Sequence, residues 1–229
     1  FLESMRPGLT QIQSAVNQFH AFDPANQRKT YSLALRDILE STFLPKLMGR
    51  LESYPELEII SQRVPRRDME TQLAAGKLDF AVDVLLPVSN QTGHELLRHD
   101  RLVVLARKGH PLTGGGLTLD KYLEAKHVLV SSRSEGPGIE DFELSRFGVQ
   151  RNIRLRCQHY YAACRVAEGT DLLLTMPENY ARIIAERADI DILTTPVDLP
   201  GIDVHLYWHK AYEREPALIW FREQLASVV

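Results

Sequence analysis

Patterns typical of strands alternate with patterns typical of helices along most of this chain. Between residues 31 and 82 the order is strand, helix, strand, helix, strand, and each connection is only a few residues long. Short connections of this kind predict parallel strands that are joined by right-handed crossovers. The alternation resumes at His127 and continues to a closing helix at 216–228. The sequence therefore predicts an α/β protein that consists of two units.

Helix boundaries in the first unit follow from capping and turn residues. The amphipathic pattern predicts a helix over 43–53 that Ser41 or Thr42 caps. Pro45 is then expected in the first turn, where its missing N–H is tolerated. Gly76 is predicted to end the next helix, because glycine readily adopts the left-handed backbone of a C-terminal cap.

An apolar seam precedes the α/β part of the chain. Its members recur at alternating spacings of three and four, which is typical of a coiled-coil helix. A short helix with one narrow apolar stripe needs a partner to bury that stripe, so residues 1–21 are predicted to be a linker helix that dimerises. The dimerisation residues are Leu2, Met5, Leu9, Ile12, Val16 and Phe19.

Composition limits the partners that the chain itself can bind. The 229 residues carry a formal net charge of −3, whereas a surface that binds nucleic acid is normally basic. The sequence holds no apolar run long enough to span a bilayer, so no membrane partner is predicted. The two cysteines, Cys157 and Cys164, are too few for a disulfide framework and are predicted to be reduced thiols of a cytoplasmic protein.

The sequence holds no arrangement that indicates catalysis, a metal or a cofactor. Cys157 and His159 lie two residues apart, but neither an orienting third group nor an oxyanion site accompanies them. Neither Cys-x-x-Cys nor His-Glu-x-x-His occurs, so zinc is not predicted. We therefore expect that the chain is not an enzyme and has no cofactor.

Five motifs occur along the chain in a fixed order. They are FLPKL (43–47), YPELEI (54–59), GKLDFAV (76–82), LVVLARKGHPL (102–112) and AEGTDLLLTMP (167–177). The ordered set resembles the effector-binding domain of LysR-type transcriptional regulators, and the apolar seam resembles the linker helix of that family. Three shorter stretches resemble the subgroup of nodulation regulators and regulators of aromatic-compound degradation: FDPA (22–25), YWH (207–209) and IWFR (219–222).

The resemblance implies a periplasmic-binding-protein-like fold of type 2, in which two crossing strands join two α/β subdomains. Subdomain I is expected at 30–101 and 209–229, and subdomain II at 102–208. The resemblance also implies a winged helix-turn-helix domain before Phe1 as the only part that contacts DNA, and assembly into a homodimer or homotetramer. Asp37 and Ile38 stand where many members of the family carry Ser or Thr.

Candidate ligand contacts come from the turns that follow the predicted strands. Ligands of open α/β sheets bind beyond the carboxyl ends of strands, near helix N-termini that favour anions. Two aromatic rings and an imidazole at one helix start suit an aromatic acid. Interdomain packing is the alternative role for Trp208. The candidates are Asp37, Ile38, Arg66, Asp83, Ser132, His159, Tyr160, Tyr161, Met176 and Trp208.

Two functions fit this pattern. The first is an effector-sensing domain that binds a small aromatic or anionic molecule in the cleft between the subdomains. Such a molecule shifts the domain towards the arrangement that it binds better, and so acts on the DNA-binding domain. The alternative is a solute-binding protein of a transport system with the same fold, against which the heptad seam argues.

Overall fold

The computed structural model describes residues 22–228. The predicted dimerisation residues Leu2, Met5, Leu9, Ile12, Val16 and Phe19 lie outside the described residues, so their role stays a prediction. From residue 29 onward the described chain is a succession of strands and helices, and no described helix has both the length and the apolarity to cross a membrane.

Ten strands and seven α-helices make up the described chain, together with one short 3₁₀ turn at Lys210–Tyr212. The strands are β1 (Lys29–Ala34), β2 (Leu57–Gln62), β3 (Phe80–Val84), β4 (Thr92–Asp100), β5 (Leu102–Arg107), β6 (Lys126–Val130), β7 (Asn152–Cys157), β8 (Leu172–Pro177), β9 (Ile190–Thr194) and β10 (Ile202–His209). The helices are α1 (Asp37–Leu51), α2 (Arg66–Ala74), α3 (Leu119–Glu124), α4 (Ile139–Arg146), α5 (Tyr160–Gly169), α6 (Glu178–Ala185) and α7 (Pro216–Ser227).

The chain divides into two compact units. The first contains the described residues through Arg98 and those from Asp203 onward, and the second contains His99–Ile202. The chain leaves the first unit within β4 and returns to it within β10. Each unit has one five-stranded sheet, in the order β2-β1-β3-β10-β4 in the first unit and β7-β6-β8-β5-β9 in the second.

The first sheet confirms the parallel strands that the sequence predicts. β1 runs parallel to both β2 and β3, and β10 pairs antiparallel with β3. Because β10 hydrogen-bonds to β3, residues 203–208 belong to the first unit, whereas the sequence analysis assigned them to subdomain II. Local patterns identify a strand but not its sheet, and this pairing joins residues more than a hundred positions apart.

Helix α1 begins earlier than the sequence predicts. It starts at Asp37, and Arg36 is its N-cap, so Pro45 lies inside the helix rather than in its first turn. The hydroxyls of Ser41 and Thr42 donate to carbonyl oxygens one turn back instead of capping the helix. Side chains at a spacing of four, Leu39, Phe43, Leu47 and Leu51, bury one face, and this tertiary packing extends the helix across the proline. By contrast, Gly76 has the predicted positive φ, at 62°.

Helix α7 closes the core of the first unit. The rings of Tyr31 in β1 and Phe221 in α7 stack with centroids 3.8 Å apart. The hydroxyl of Tyr31 donates to the carbonyl oxygen of Ala217 at 3.0 Å. Burial raises the pKa of the Tyr31 hydroxyl, so it remains a donor at neutral pH. These contacts attach the last helix of the chain to its first strand.

The core of the second unit contains a buried polar network. The guanidinium of Arg151 has no exposed surface and forms ion pairs with Glu140 and Asp141 in the first turn of α4. The hydroxyl of Tyr122 lies 2.8 Å from Thr175 Oγ1 and accepts a hydrogen bond from Arg151 at 3.3 Å. This network connects α3, α4 and β8 at the centre of the unit.

Candidate functional site

The carboxyl end of β3 in the first unit carries a buried carboxylate that two arginines hold. Arg66, the first residue of α2, donates to both oxygens of Asp83, at 2.9 and 2.7 Å. Arg36, the N-cap of α1, donates through Nε to Asp83 Oδ2 at 3.1 Å. The backbone N–H of Val84 donates to Asp83 Oδ1 at 2.8 Å. The turns after β1, β2 and β3 thus meet at one carboxylate.

This cluster of Arg36, Arg66 and Asp83, called here the arginine–aspartate cluster, keeps a net positive charge. Burial alone would raise the pKa of Asp83, but the hydrogen bonds and positive charges of Arg66 and Arg36 lower it overall. The bond from Arg66 to Asp83 in turn raises the pKa of Arg66. Two cations therefore face one anion, and the cluster has a formal charge of +1. A net positive charge at a partly buried edge attracts an anionic ligand.

A shallow depression lies beside the cluster within the first unit. The three residues of the arginine–aspartate cluster supply its polar wall, and apolar side chains supply the rest of its lining. The apolar part consists of Ala34, Leu35, Val64, Met69, Ala81 and Val82. Charge on one side and apolar surface on the other is the arrangement that binds an amphipathic organic anion.

Asp37 and Ile38 lie next to this depression in the chain but do not line it. Both are in the first turn of α1, Asp37 exposed and Ile38 half-buried. The lining residues on that side are Leu35 and Arg36. These lining residues precede the predicted pair by two positions, because α1 begins before the predicted start and includes Asp37 and Ile38 in its first turn.

The second unit brings two of its predicted turns together. β6 and β7 are parallel neighbours, and the N–H of Ser131 donates to the carbonyl oxygen of Cys157 at 2.8 Å. The turn that contains Ser132 therefore lies beside the turn that contains His159. Arg133, which follows Ser132, donates to Pro137 O at 2.7 Å and so is tied to its own loop.

The start of α5 presents the aromatic residues that the sequence singles out. His159 is the N-cap of this ten-residue helix and is exposed. Tyr160 packs edge-on against Tyr180, with ring centroids 6.4 Å apart, and Tyr161 is 62% exposed. One tyrosine thus faces its own unit and the other faces solvent. Only His159 and Tyr161 present a broad surface to a ligand.

Two predicted contacts lie elsewhere. Met176 is fully buried in β8, where its sulfur lies 3.7 Å from Cys164 Sγ, so its side chain is part of the core of the second unit. Trp208 packs against Gly93, and the guanidinium of Arg222 lies over its ring at 4.7 Å. Trp208 alternates with Tyr207 along β10, and Tyr207 packs on α2, so the indole occupies the opposite face of the sheet. These contacts make Trp208 a packing residue of the first unit, and the interdomain packing that the sequence analysis offered stays a prediction.

The structure adds residues that sequence reasoning did not commit to. Arg36 is not among the predicted ligand contacts, yet it donates a hydrogen bond to Asp83. His94 and His205 lie on neighbouring strands, and their Nδ1 atoms are 3.2 Å apart. Burial and the neighbouring imidazole of His94 lower the pKa of His205. No local signal identifies this pair, because 111 positions separate its members.

Comparisons with known proteins agree with this architecture. The HTH-type transcriptional activator NahR of Pseudomonas putida is 32% identical over 222 residues, which cover 96% of this chain and 74% of NahR. The activator NagR of a Ralstonia species is 33% identical over 223 residues, which cover 94% of this chain and 72% of NagR. The crystal structure of a probable transcriptional regulator from Pseudomonas aeruginosa is 30% identical, with a TM-score of 0.84 over 97% of this chain and 74% of that chain.

A more distant structure shares the fold. The effector-binding domain of BenM, solved with its effector benzoate, is 16% identical, with a TM-score of 0.65 over 85% of this chain and 94% of that domain. The two α/β units of this chain have the periplasmic-binding-protein-like fold of type 2, which is the fold of LysR regulatory domains. The family model of the LysR substrate binding domain matches residues 24–229, and the chain belongs to that family. The resemblance that the motifs indicate is confirmed. NahR and NagR are activators of transcription and the Pseudomonas aeruginosa protein is a probable transcriptional regulator, so these comparisons give no support to the solute-binding alternative.

Proposed function

We propose that this chain senses a small aromatic carboxylate and that the arginine–aspartate cluster of the first unit binds its carboxylate group. The observation that carries the proposal is the net positive charge of this cluster beside an apolar depression. Arg36 uses one N–H group on Asp83 and is 28% exposed, so further donors remain for a ligand. Arginine recognises carboxylates through paired hydrogen bonds.

The turn at the start of α5 is the second surface that we assign to effector contact. His159 and Tyr161 are exposed at the N-terminus of α5, and the positive end of a helix dipole favours an anion. Ser132 lies on the neighbouring turn and adds a hydroxyl. BenM, which shares the fold, has the aromatic acid benzoate as its effector, and this chemistry fits an aromatic surface with nearby donors.

The remaining parts of the proposal concern partners. NahR and NagR are HTH-type activators. We propose that the intact protein contacts DNA through a helix-turn-helix domain and that this chain regulates that domain. We further propose a homodimer or homotetramer in which residues 2–19 form the dimer contact. Leu9→Glu and Val16→Glu should then lower the fraction of dimer in sedimentation experiments and leave the affinity for the effector unchanged.

The effector site can be tested by titration of the purified chain with benzoate and hydroxybenzoates, with benzamide as the uncharged control. Calorimetry should show binding of the acids and little binding of the amide. Arg36→Gln and Arg66→Gln should each weaken binding about tenfold, because each removes a charge-assisted hydrogen bond. His159→Ala tests the second surface independently.

Arg67→Gln is the matched control for these variants. Arg67 neighbours Arg66, its side chain is 86% exposed, and it pairs only loosely with Asp68 at 3.6 Å. The substitution removes the same charge from the same helix but leaves the cluster intact. If Arg67→Gln and Arg66→Gln weaken the binding of the acids equally, the net charge of the chain and not the cluster accounts for the binding. If no aromatic acid binds, the proposed ligand class is refuted.

A further inference from the structure

Two histidines on adjacent strands of the first sheet face each other through the same ring atom. His94 lies in β4 and His205 in β10, which are neighbours in the sheet. Their Nδ1 atoms are 3.2 Å apart and their rings are inclined at 58°. Two strands of one sheet hold this spacing more firmly than two loops would, because the backbone of each strand is fixed by its ladder.

The spacing of the two nitrogens fits a shared metal ion. Zinc–imidazole bonds are about 2.1 Å long, so an ion bound to both Nδ1 atoms would subtend an angle of about 100° between them. That angle lies between the octahedral and tetrahedral values. A single proton between the two rings also fits the spacing, and this hydrogen bond is the alternative that an experiment has to separate from metal binding.

We propose that His94 and His205 together bind one divalent transition-metal ion of the Zn²⁺, Ni²⁺ and Cu²⁺ class. Imidazole nitrogen suits these ions, whereas Mg²⁺ prefers oxygen ligands. Within residues 22–228 no set of three or more His, Cys, Asp and Glu side chains is placed to hold a metal, so water completes the coordination. Such an ion would add a link between β4 and β10, which are already neighbours in the sheet.

Three features of the surroundings are compatible with a bound cation. His94 is exposed, which gives an ion a path of entry, and His205 is only 8% exposed. Asp203 on the same strand adds a favourable negative charge at His205. The ring of Tyr207 stacks on His94 at 5.7 Å between centroids and helps to hold that imidazole in place.

The test is calorimetric titration of the chelator-treated chain with Cu²⁺, Zn²⁺ and Mg²⁺, followed by electron paramagnetic resonance of the Cu²⁺ complex. We expect one Cu²⁺ per chain, weaker Zn²⁺ binding and no Mg²⁺ binding. The Cu²⁺ spectrum should show two imidazole nitrogens. His94→Gln should weaken Cu²⁺ binding at least about tenfold and leave the spectrum of a single imidazole, because a chelate with two ligands becomes a single contact.

His99→Gln is the matched control, since His99 is an exposed histidine on the same strand. It should bind Cu²⁺ like the parent chain. His94 is exposed, so we expect that its replacement leaves the core intact. His205→Gln should weaken Cu²⁺ binding as His94→Gln does, and circular dichroism checks that this variant at a buried position still folds. A hydrogen-bonded pair without metal affinity would bind no Cu²⁺ in about a hundredfold excess, and this result overturns the proposal. Equal losses in His94→Gln and His99→Gln overturn it as well.

Discussion

Arg66 donates one hydrogen bond to each carboxylate oxygen of Asp83, from Nε at 2.9 Å and from Nη2 at 2.7 Å. Two parallel bonds fix the plane of the guanidinium. Arg36 donates to the same carboxylate at 3.1 Å, so one buried anion orients two cations that come from different turns. Asp83 is therefore a positioning residue for the proposed anion site, and the arginines are its ligand-binding groups.

Asp83→Asn should separate these two roles. The change raises the formal charge of the cluster from +1 to +2, but it weakens the four hydrogen bonds that Arg66, Arg36 and the Val84 N–H donate to this carboxylate. Because Asp83 positions the arginines, we expect benzoate affinity to fall by about fivefold despite the added charge, and the free energy of unfolding to fall by about 2 kcal/mol. Calorimetry and urea unfolding measure the two effects. Asp68→Asn, beside the exposed Arg67, is the control, and an unchanged or higher affinity in Asp83→Asn would contradict the positioning role.

His127 should make the stability of the second unit depend on pH. Burial and, to a smaller extent, the charge of Arg151 lower the pKa of this histidine from 6.5 to about 4, against the opposing effects of its bond to the Tyr122 carbonyl and of the charge of Asp141. The unfolded chain therefore binds a proton at a higher pH than the folded chain does. The resulting stabilisation is complete above pH 6.5 and is lost as the pH falls to about 4, by up to about 3 kcal/mol in total.

Urea unfolding at several pH values checks this dependence. His127→Gln keeps a donor for the Tyr122 carbonyl but removes the titration, so its stability should change less between pH 6.5 and 4. His99→Gln, which changes an exposed histidine, should follow the parent chain. If the parent and His127→Gln show the same pH profile, another group is responsible.

Arg151 should be more costly to remove alone than together with its partners. Its side chain is fully buried between Glu140 and Asp141. Arg151→Met leaves the buried carboxylate of Glu140 and the half-buried carboxylate of Asp141 without their counterion, and we expect a loss of about 3–5 kcal/mol in the free energy of unfolding. Adding Glu140→Gln to Arg151→Met should recover part of that loss, since one of the unpaired charges is removed. A double variant less stable than Arg151→Met would contradict this account of the network.

Gly93 should not tolerate a side chain. A Cβ atom at this position would lie 2.5–2.8 Å from three atoms of the Trp208 indole. We expect Gly93→Ala to lower the free energy of unfolding by about 1–3 kcal/mol and to shift the tryptophan fluorescence, because the indole has to move. Gly114→Ala is the control, since nothing lies within 4 Å of its Cβ position. Unchanged fluorescence and stability in Gly93→Ala would contradict the close contact between Gly93 and the Trp208 indole.

Much of the fold was predictable because it depends on local patterns. Alternating strands and helices with short connections predicted the parallel pairing of β1, β2 and β3. The candidate turns include Arg66 and Asp83 as separate residues, and the contact between them follows only from the arrangement of the strands in the sheet. The start of α1 and the sheet to which β10 belongs were missed, since both depend on packing between distant segments rather than on capping residues.

The sequence by itself determined the α/β class, the two units and the family to which the chain belongs, because periodicity and ordered motifs are local properties. Only the tertiary structure decided that Arg36 binds Asp83, that Met176 lies in the core and that His94 meets His205. These outcomes depend on strand order and on which face of each sheet a helix covers. The reason is physical: burial and pairing between distant residues are settled by the packing of the whole unit, which no short stretch of sequence contains.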